Sequence, residues 1–346
     1  ENPMNPCLIR VSGVRSLSFI EELCQAYKYC TFYYKTGRLK MDTNEVTIVT
    51  GIFDIGRNSW KTSTRSIDRY INFFRFWARI KNHVIVYSDP NLTNNIYSVR
   101  KEFGLEKQTT IVPIEDVRKL DKKLYDKMYT ALSCKETVQY RSNPQNPESY
   151  NALYNFIVYI KPILCHQAIV DGLTSGTTAW MDFGFNHGGE YYTNPYEFVF
   201  LWQNTLSKKV HLFCLNNPDN TPIWKIIQTM PDIISGGLII APDELWGPLE
   251  NLYRQSALSL ADCGFSDDDQ TLALMAYRKN PDIFQIHKMN GWYDDFEFVT
   301  QKNFSKVQPL PHRLEKNLAK KELYSKEYIA AIKHYLNYIN LKFHGN

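Results

Sequence analysis

Acidic and histidine side chains in the C-terminal two thirds of the chain could do chemistry together. Asp182 directly follows a predicted strand, His287 ends another, and Asp267, Asp268 and Asp269 stand in succession between them. Carboxylate oxygens are the ligands that hard divalent cations prefer, and a neutral imidazole can complete such a shell. The pattern therefore predicts a metal site at Asp182 and His287, with a catalytic carboxylate among the three successive aspartates.

Each of these residues also has an ordinary structural explanation. An aspartate after a strand often caps a turn, and a histidine at a strand end is often packed in the core. One of the three aspartates can cap the helix predicted from residue 268, which leaves Asp267 or Asp269 to face a cleft. His187, in the loop after Asp182, is a further candidate ligand, although a histidine in a loop is more often only solvated.

Other polar groups follow the predicted strands of the first half. In open α/β sheets, ligands bind beyond the carboxyl ends of the strands, so we expect these groups to bind substrate. Two glycines before an apolar strand form a turn or let a ligand approach the backbone closely. Lys288, directly after His287, can bind a phosphate, and Trp292 follows in the same loop. The predicted substrate-binding residues are Thr50, Asp54, Arg57, Asp89, Gly236, Gly237, Lys288 and Trp292.

Apolar, β-branched segments alternate with amphipathic ones, and this alternation predicts an α/β fold with a mostly parallel sheet. Residues 116–150 predict a surface excursion, and Pro162 predicts a kink or a boundary within its helix. The predicted strands are 45–53, 83–87, 109–113, 178–181, 197–202, 209–215 and 283–287, and the predicted helices are 65–80, 94–103, 150–170, 244–261 and 268–279.

Bulk composition limits the classes of function. The 346 residues suffice for a large core, and a net charge of +4 is too small to argue for nucleic acid. No apolar run reaches the roughly 18 residues needed to cross a bilayer, and the first residues lack the pattern of a signal peptide. Gly-x-Gly-x-x-Gly, Walker and Gly-x-Ser-x-Gly motifs are absent, which disfavours hydride transfer, P-loop hydrolysis and α/β-hydrolase chemistry.

Seven cysteines without a C-x-x-C pair predict reduced thiols, with one bridge among Cys7, Cys24 and Cys30 as the alternative in an oxidising compartment. The tail, 306–346, has eight Lys/Arg against three Asp/Glu and ends in a predicted amphipathic helix. We expect the apolar stripe of that helix to pack on the body of the protein. A peripheral contact with an anionic membrane is the alternative.

Several segments resemble the HtrL/YibB family of bacterial proteins, which is associated with lipopolysaccharide-core and other surface-glycan loci. The resemblance is carried by TIVTGIFDIGR at 47–57, NPESY at 146–150, the helix of Lys161, WMDFG at 180–184 and the final glycine, acidic and histidine region. It spans about residues 46–295.

That family is similar to GT-A glycosyltransferases, which implies a Rossmann-like nucleotide-sugar domain, a UDP-sugar donor and Mn²⁺ or Mg²⁺. On this resemblance Asp182 stands where a metal-binding Asp-x-Asp motif would be, although Gly184 replaces its second aspartate. Lys161 would approach the donor diphosphate, and Asp268 or Asp269 would be the acceptor-side carboxylate. His287 with its Gly-Trp loop looks like the segment that closes over the donor in glycogenin-like transferases.

We therefore predict a metal-dependent glycosyltransferase with a GT-A-like, mixed and mostly parallel sheet flanked by helices. It would move a hexose, with galactose as the first choice, from a UDP-sugar to a surface polysaccharide or lipopolysaccharide acceptor. The alternatives are a non-catalytic glycan-binding or scaffold protein and a nucleotidyltransferase. The predicted regions are a leader or flap (1–45), the transferase domain (46–303) and a basic helical extension (304–346). The predicted location is cytoplasmic, with peripheral contact at the inner membrane face, and the alternative is a lumenal domain of an anchored protein.

Overall fold

The computed structural model describes residues 44–60, 64–174, 176–307, 311–324 and 327–344. The predicted leader lies almost wholly outside these residues, as do Cys7, Cys24 and Cys30. The boundaries at 45/46 and 303/304 stay predictions.

A seven-stranded sheet forms the centre of the described chain, in the order β3-β2-β1-β4-β6-β5-β7. Only β6 runs antiparallel to its neighbours β4 and β5, and every other neighbouring pair is parallel. The predicted fold class is therefore confirmed: a mixed, mostly parallel sheet flanked by helices. The strands are β1 (Val46–Ile52), β2 (Val84–Ser88), β3 (Thr109–Pro113), β4 (Thr177–Met181), β5 (Val210–Cys214), β6 (Ile234–Pro242) and β7 (Phe284–Lys288).

Thirteen α-helices accompany the sheet in the described residues. Two predictions were wrong here. The segment 116–150, predicted as a surface excursion, contains three helices, and its Leu124 and Met128 belong to the core. The predicted strand at 197–202 is instead the end of a 3₁₀ helix, Pro195–Phe198, followed by irregular chain. The helices are α1 (Ile67–Trp77), α2 (Thr93–Glu102), α3 (Lys122–Leu132), α4 (Lys135–Gln139), α5 (Pro147–Tyr150), α6 (Ala152–Tyr159), α7 (Lys161–Val170), α8 (Ile223–Thr229), α9 (Asp243–Asp262), α10 (Asp269–Lys279), α11 (Asp294–Thr300), α12 (Pro311–Tyr324) and α13 (Tyr328–His344).

The segment predicted as one helix at 150–170 is divided at Ile160 into α6 and α7, which meet at 41°. Pro162 lies in the first turn of α7, where its missing N–H costs no hydrogen bond. The proline thus marks a boundary and places Lys161 at the start of a helix. Among the described residues no single helix has the length and apolarity to span a membrane, although the bent pair α6–α7 meets that test by length and composition.

Two hydrophobic clusters cover the two faces of the sheet. Ile48 and Ile240 belong to one cluster, and their sequence neighbours Val49 and Ile239 belong to the other. This alternation follows from the period of two along a strand. With both faces buried, the sheet offers ligands only its edges and strand ends.

The C-terminal tail is helical, as predicted, and α12 packs against α13. The buried alanines Ala319 and Ala331 lie in these two helices. The apolar stripe of α13, however, does not pack on the body of the protein. Its residues are exposed, and Ile329 reaches 88% exposure. That packing prediction was wrong, because α12 covers the opposite, small-residue side of α13.

Candidate active site

A cleft of about 640 Å³ opens where β1 and β4 end and β6 begins. Its walls come from these strands, from α7 and from the start of α10. Because β6 is antiparallel to β4, its first residues lie at the same edge as the last residues of β4. Of the predicted site residues, the cleft is lined by Arg57, Lys161, Asp182, Gly236, Gly237, Asp268, Asp269 and Trp292.

The ammonium of Lys161 joins the two sides of this cleft. Nζ donates to Oδ2 of Asp269 at 2.5 Å and to the carbonyl oxygen of Gly236 at 2.7 Å. It also lies 2.9 Å from Oδ1 of Asp182. Lys161 is only 4% exposed. An ammonium carries three donor protons, and here each proton has an acceptor within the protein.

Gly236 permits this arrangement by its missing side chain. A Cβ at this position would lie 2.0 Å from Oδ2 of Asp269 and 2.4 Å from its Cγ. No side chain fits there unless the whole carboxyl group moves. At Gly237, by contrast, the nearest atoms would be Oγ of Ser235 at 3.8 Å and Oδ2 of Asp182 at 3.9 Å, which is ordinary contact.

The charges in the cleft are strongly coupled. Burial alone would lower the pKa of Lys161, but the carboxylates of Asp182 and Asp269 outweigh burial and raise it. Burial raises the pKa of Asp269, and Lys161 opposes that rise. The ammonium therefore stays charged, and its contact with Asp269 opposes protonation of that carboxyl group.

The structure gives the three successive aspartates different environments. Asp267 is buried, with Oδ1 2.6 Å from Nη1 of Arg141 and Oδ2 accepting from Thr271 at 2.7 Å. It does not line the cleft, so it is not available to an acceptor. Asp268 caps α10 by accepting from the backbone N–H of Gln270 at 3.1 Å. Burial raises the pKa of Asp268 well above its usual value, with Asp267, Asp269 and Glu148 adding to the rise. Of the three successive aspartates, Asp268 and Asp269 are thus the two that face the cleft.

Two arginines line the cleft near aromatic rings. The guanidinium of Arg57 lies 5.0 Å from the ring centroid of Trp60 and 5.7 Å from that of Tyr70, and Nη1 donates to the Tyr70 hydroxyl. Arg65 lies 6.0 Å from the same Tyr70 ring, and its backbone N–H donates to the carbonyl of Arg57 at 3.2 Å. The aromatic rings therefore position two cationic groups at one place in the cleft.

Four of the predicted substrate-binding residues do not line the cleft. Thr50 is fully buried inside β1. Asp89 accepts from the backbone N–H of Asp54 at 2.6 Å, so these two residues join the ends of β2 and β1 to each other. Lys288 is exposed at the end of β7. Asp54 and Asp89 therefore have a structural role, because their hydrogen bond joins two loops. None of the four residues is placed to contact a ligand bound in the cleft.

His287 is not brought together with Asp182. It lies on β7, which is separated from β4 by β6 and β5, and three strand spacings amount to about 14 Å. Its Nε2 is 2.8 Å from Nδ1 of His211, and its ring packs on Phe298. Burial, followed by the nearby His211, lowers the pKa of His287 to about 4. The predicted two-ligand metal site is therefore not formed.

The remaining atoms offer little to a divalent cation. Of Asp182, Oδ1 is contacted by Lys161 and by the indole N–H of Trp180 at 2.7 Å, which leaves Oδ2 toward the cleft. The described residues contain no cluster of three His, Cys, Asp or Glu side chains that could hold a metal ion. The donor set thus does not fit a protein-held Mn²⁺ or Mg²⁺. The cofactor itself stays a prediction.

Several cleft residues were missed by the sequence reasoning. Glu148 lines the cleft, accepts from Nδ2 of Asn146 at 2.9 Å, and has its pKa raised, chiefly by burial. Tyr154, Gln270 and Arg65 also line it. The Asn-Pro-Glu start of α5 was a usable signal for Glu148. Nothing in the local pattern identified Arg65, because its place beside Arg57 depends on a backbone hydrogen bond between residues eight positions apart.

Comparisons with known proteins give a family. Residues 44–301 match the sequence model of HtrL_YibB, described as a bacterial protein of unknown function. The chain is 26% identical over 271 residues to "Protein HtrL" of Escherichia coli strain K12, which covers 73% of this chain and 92% of that protein.

Two solved structures are also similar in part. One is mouse xyloside xylosyltransferase 1 in its apo form, at 13% identity and a TM-score of 0.33, over 75% of this chain and 95% of that one. The other is the PaToxG glycosyltransferase, at 12% identity and a TM-score of 0.30, over 91% and 94%. On the strength of the sequence match across 44–301, the chain belongs to the HtrL/YibB family.

Proposed function

We propose that the chain is a glycosyltransferase that moves a hexose, with galactose as the first choice, from a UDP-sugar to a surface polysaccharide or lipopolysaccharide acceptor. The observation that carries the proposal is the cleft at the strand ends, where the carboxylates of Asp182 and Asp269 flank Lys161 and two arginines stand nearby. At about 640 Å³ the cleft has the volume usual for a site that takes a small organic ligand.

The residues suit the charges of such a reaction. The bond between the sugar C1 and the donor phosphate oxygen breaks, and its electron pair leaves with the diphosphate. An acceptor hydroxyl oxygen forms the new bond to C1, and its proton passes to a carboxylate. Asp268 and Asp269 are the candidates for that carboxylate, because both face the cleft. A raised pKa makes a carboxylate a stronger base once it is ionised, which favours Asp268.

The tail provides the support for a membrane-proximal location. The exposed stripe of α13 includes Ile329, Ile332 and Leu336, and the segment from 306 to 346 is basic. Apolar side chains beside lysines suit a peripheral contact with an anionic membrane surface. We propose that the enzyme meets a lipid-linked acceptor there, at the cytoplasmic face. The alternative, a lumenal domain of an anchored protein, would place the same stripe on a different membrane surface.

A non-catalytic glycan-binding or scaffold protein is the second candidate. It is favoured by Gly184, which stands where a second carboxylate would be, and by the position of His287 outside the cleft. Such a protein would bind sugar or nucleotide without turnover.

Donor hydrolysis separates the two candidates. The full chain would be incubated with UDP-, GDP- and CMP-sugars, each with Mn²⁺ and with EDTA, and released nucleotide would be measured. We expect release from a UDP-hexose and a large loss of release in Asp182→Asn. Binding of UDP without release from any donor would favour the scaffold, and absence of both binding and release would reject the transferase. Unchanged release by Asp182→Asn would remove Asp182 from the site.

A further inference from the structure

Lys161 occupies the place between two carboxylates that a bridging cation would take. Its contacts with Asp182 at 2.9 Å and Asp269 at 2.5 Å are those of a cation shared by two anions. A divalent ion at this point would have to displace the ammonium, which is buried and would lose its partners. A buried cation without a partner is strongly destabilising, so this displacement is opposed by the fold. For the same reason Lys161 has no donor proton to offer to a phosphate.

We propose that Arg65, together with Arg57, holds the diphosphate of the donor and that this binding needs no divalent cation. The inference rests on the proposed function, since it assigns the group that compensates the charge of the donor in that site. Two guanidinium groups of the chain then neutralise the diphosphate charge that a metal ion would otherwise neutralise.

The geometry of the two arginines supports this role. Both line the cleft, and both stand beside the Tyr70 ring, at 5.7 and 6.0 Å. The hydrogen bond from the Arg65 N–H to the Arg57 carbonyl, at 3.2 Å, ties their backbones together. Within the described parts of the chain Arg65 forms no ion pair with a carboxylate. Guanidinium groups bind phosphate oxygens in pairs of parallel hydrogen bonds, so two adjacent arginines match the two phosphates of a nucleoside diphosphate.

Arg69 provides a matched control. It lies one turn further along, in α1, and its guanidinium is 3.6 Å from the carboxylate of Glu190 at an exposed position. It does not line the cleft. Removal of its charge alters the net charge of the protein as much as removal of Arg65, without touching the proposed phosphate site.

Calorimetric titration of the full chain with UDP tests the inference. In EDTA and in Mn²⁺ we expect dissociation constants within about threefold of each other. Arg65→Ala should weaken UDP binding about tenfold or more, because charge-assisted hydrogen bonds are lost, and Arg65→Lys should lie between. Uridine, which has no phosphate, should bind Arg65→Ala and the unaltered chain equally, and Arg69→Ala should bind UDP normally.

The opposing results are distinct from one another. Binding of UDP only in Mn²⁺ would overturn the inference and leave the proposed transferase standing. Normal UDP binding by Arg65→Ala would also overturn it. No binding of UDP in either buffer would instead remove the proposed function. Circular dichroism and urea unfolding of each variant would establish that a loss of binding is not a loss of fold.

Discussion

The close approach of Asp269 to Gly236 gives a stability prediction with a built-in control. In Gly236→Ala the new Cβ would stand 2.0 Å from Oδ2 of Asp269, 2.4 Å from Cγ and 2.7 Å from Oδ1, so the whole carboxyl group must move. Asp269 then loses its 2.5 Å contact with Lys161. In Gly237→Ala the nearest atoms are at 3.8 and 3.9 Å, and nothing must move.

The magnitude follows from burial. Lys161 and Asp269 have side chains that are 5% and 9% exposed, so solvent screens their interaction little. Disrupting a buried pair costs about 3–5 kcal/mol when one partner is removed. Lys161 keeps Asp182 and the Gly236 carbonyl, and replacing glycine by alanine returns about 0.4–1 kcal/mol through the unfolded chain. We therefore expect Gly236→Ala to lower the free energy of unfolding by about 2–3 kcal/mol, and Gly237→Ala to change it by less than about 1 kcal/mol.

Urea unfolding of the two variants and the unaltered chain, followed by circular dichroism, measures this difference. Calorimetric titration with UDP would report on the cleft in parallel, where we expect a weaker response from Gly236→Ala alone. Equal unfolding midpoints for Gly236→Ala and Gly237→Ala would show that Asp269 is not held against Gly236. That result would refute the buried contact between Lys161 and Asp269.

Three further predictions concern the surroundings of the cleft. Arg141→Ala leaves the buried carboxylate of Asp267 without its 2.6 Å partner, and urea unfolding should show a loss of about 3–5 kcal/mol; a loss under about 1 kcal/mol would contradict this. His287→Ala should leave UDP binding unchanged in calorimetry, because His287 lies outside the cleft, and a tenfold loss would return it to the site. Glu148 has a pKa raised above 4.5 in the folded chain, so its contribution to stability is present below that value and is lost as pH rises through the raised pKa. Glu148→Gln should therefore gain unfolding free energy relative to the unaltered chain at pH 7 but not at pH 4, and an equal difference at both pH values would refute the burial argument.

The sequence predicted the sheet well where strands are buried on both faces. Such strands are short runs of β-branched residues, and β1 and β2 were located to within about two residues. The charged composition of 116–150 hid α3, whose buried Leu124, Met128 and Ala131 are spaced by three and four residues. The alternating aromatic residues of 197–202 imitate a strand, but there Phe198 and Phe200 pack against Phe296 instead of forming a ladder.

The site was predictable only in part, because its contacts are long-range. Asp182 and Asp269 were found through their positions at a strand end and a helix start. Their shared contact with Lys161 was not found, because the partners of its ammonium are distant in the sequence. Gly236 is 75 residues from Lys161, and Asp269 is 108 residues from it. His287 was misplaced for a related reason. Local pattern locates β7 but not the two strands that separate it from β4.

The three acceptors of Lys161 also bear on how the protein is made. As the chain leaves the ribosome, Lys161 and Asp182 emerge close together, while Gly236 and Asp269 follow much later. An N-terminal piece that stops before Gly236 holds the first five strands, β1 to β5, but supplies only one acceptor for three ammonium protons. The lysine can be buried only after residue 269 has arrived. The cleft is therefore completed late in synthesis, when the second half of the chain closes over the first.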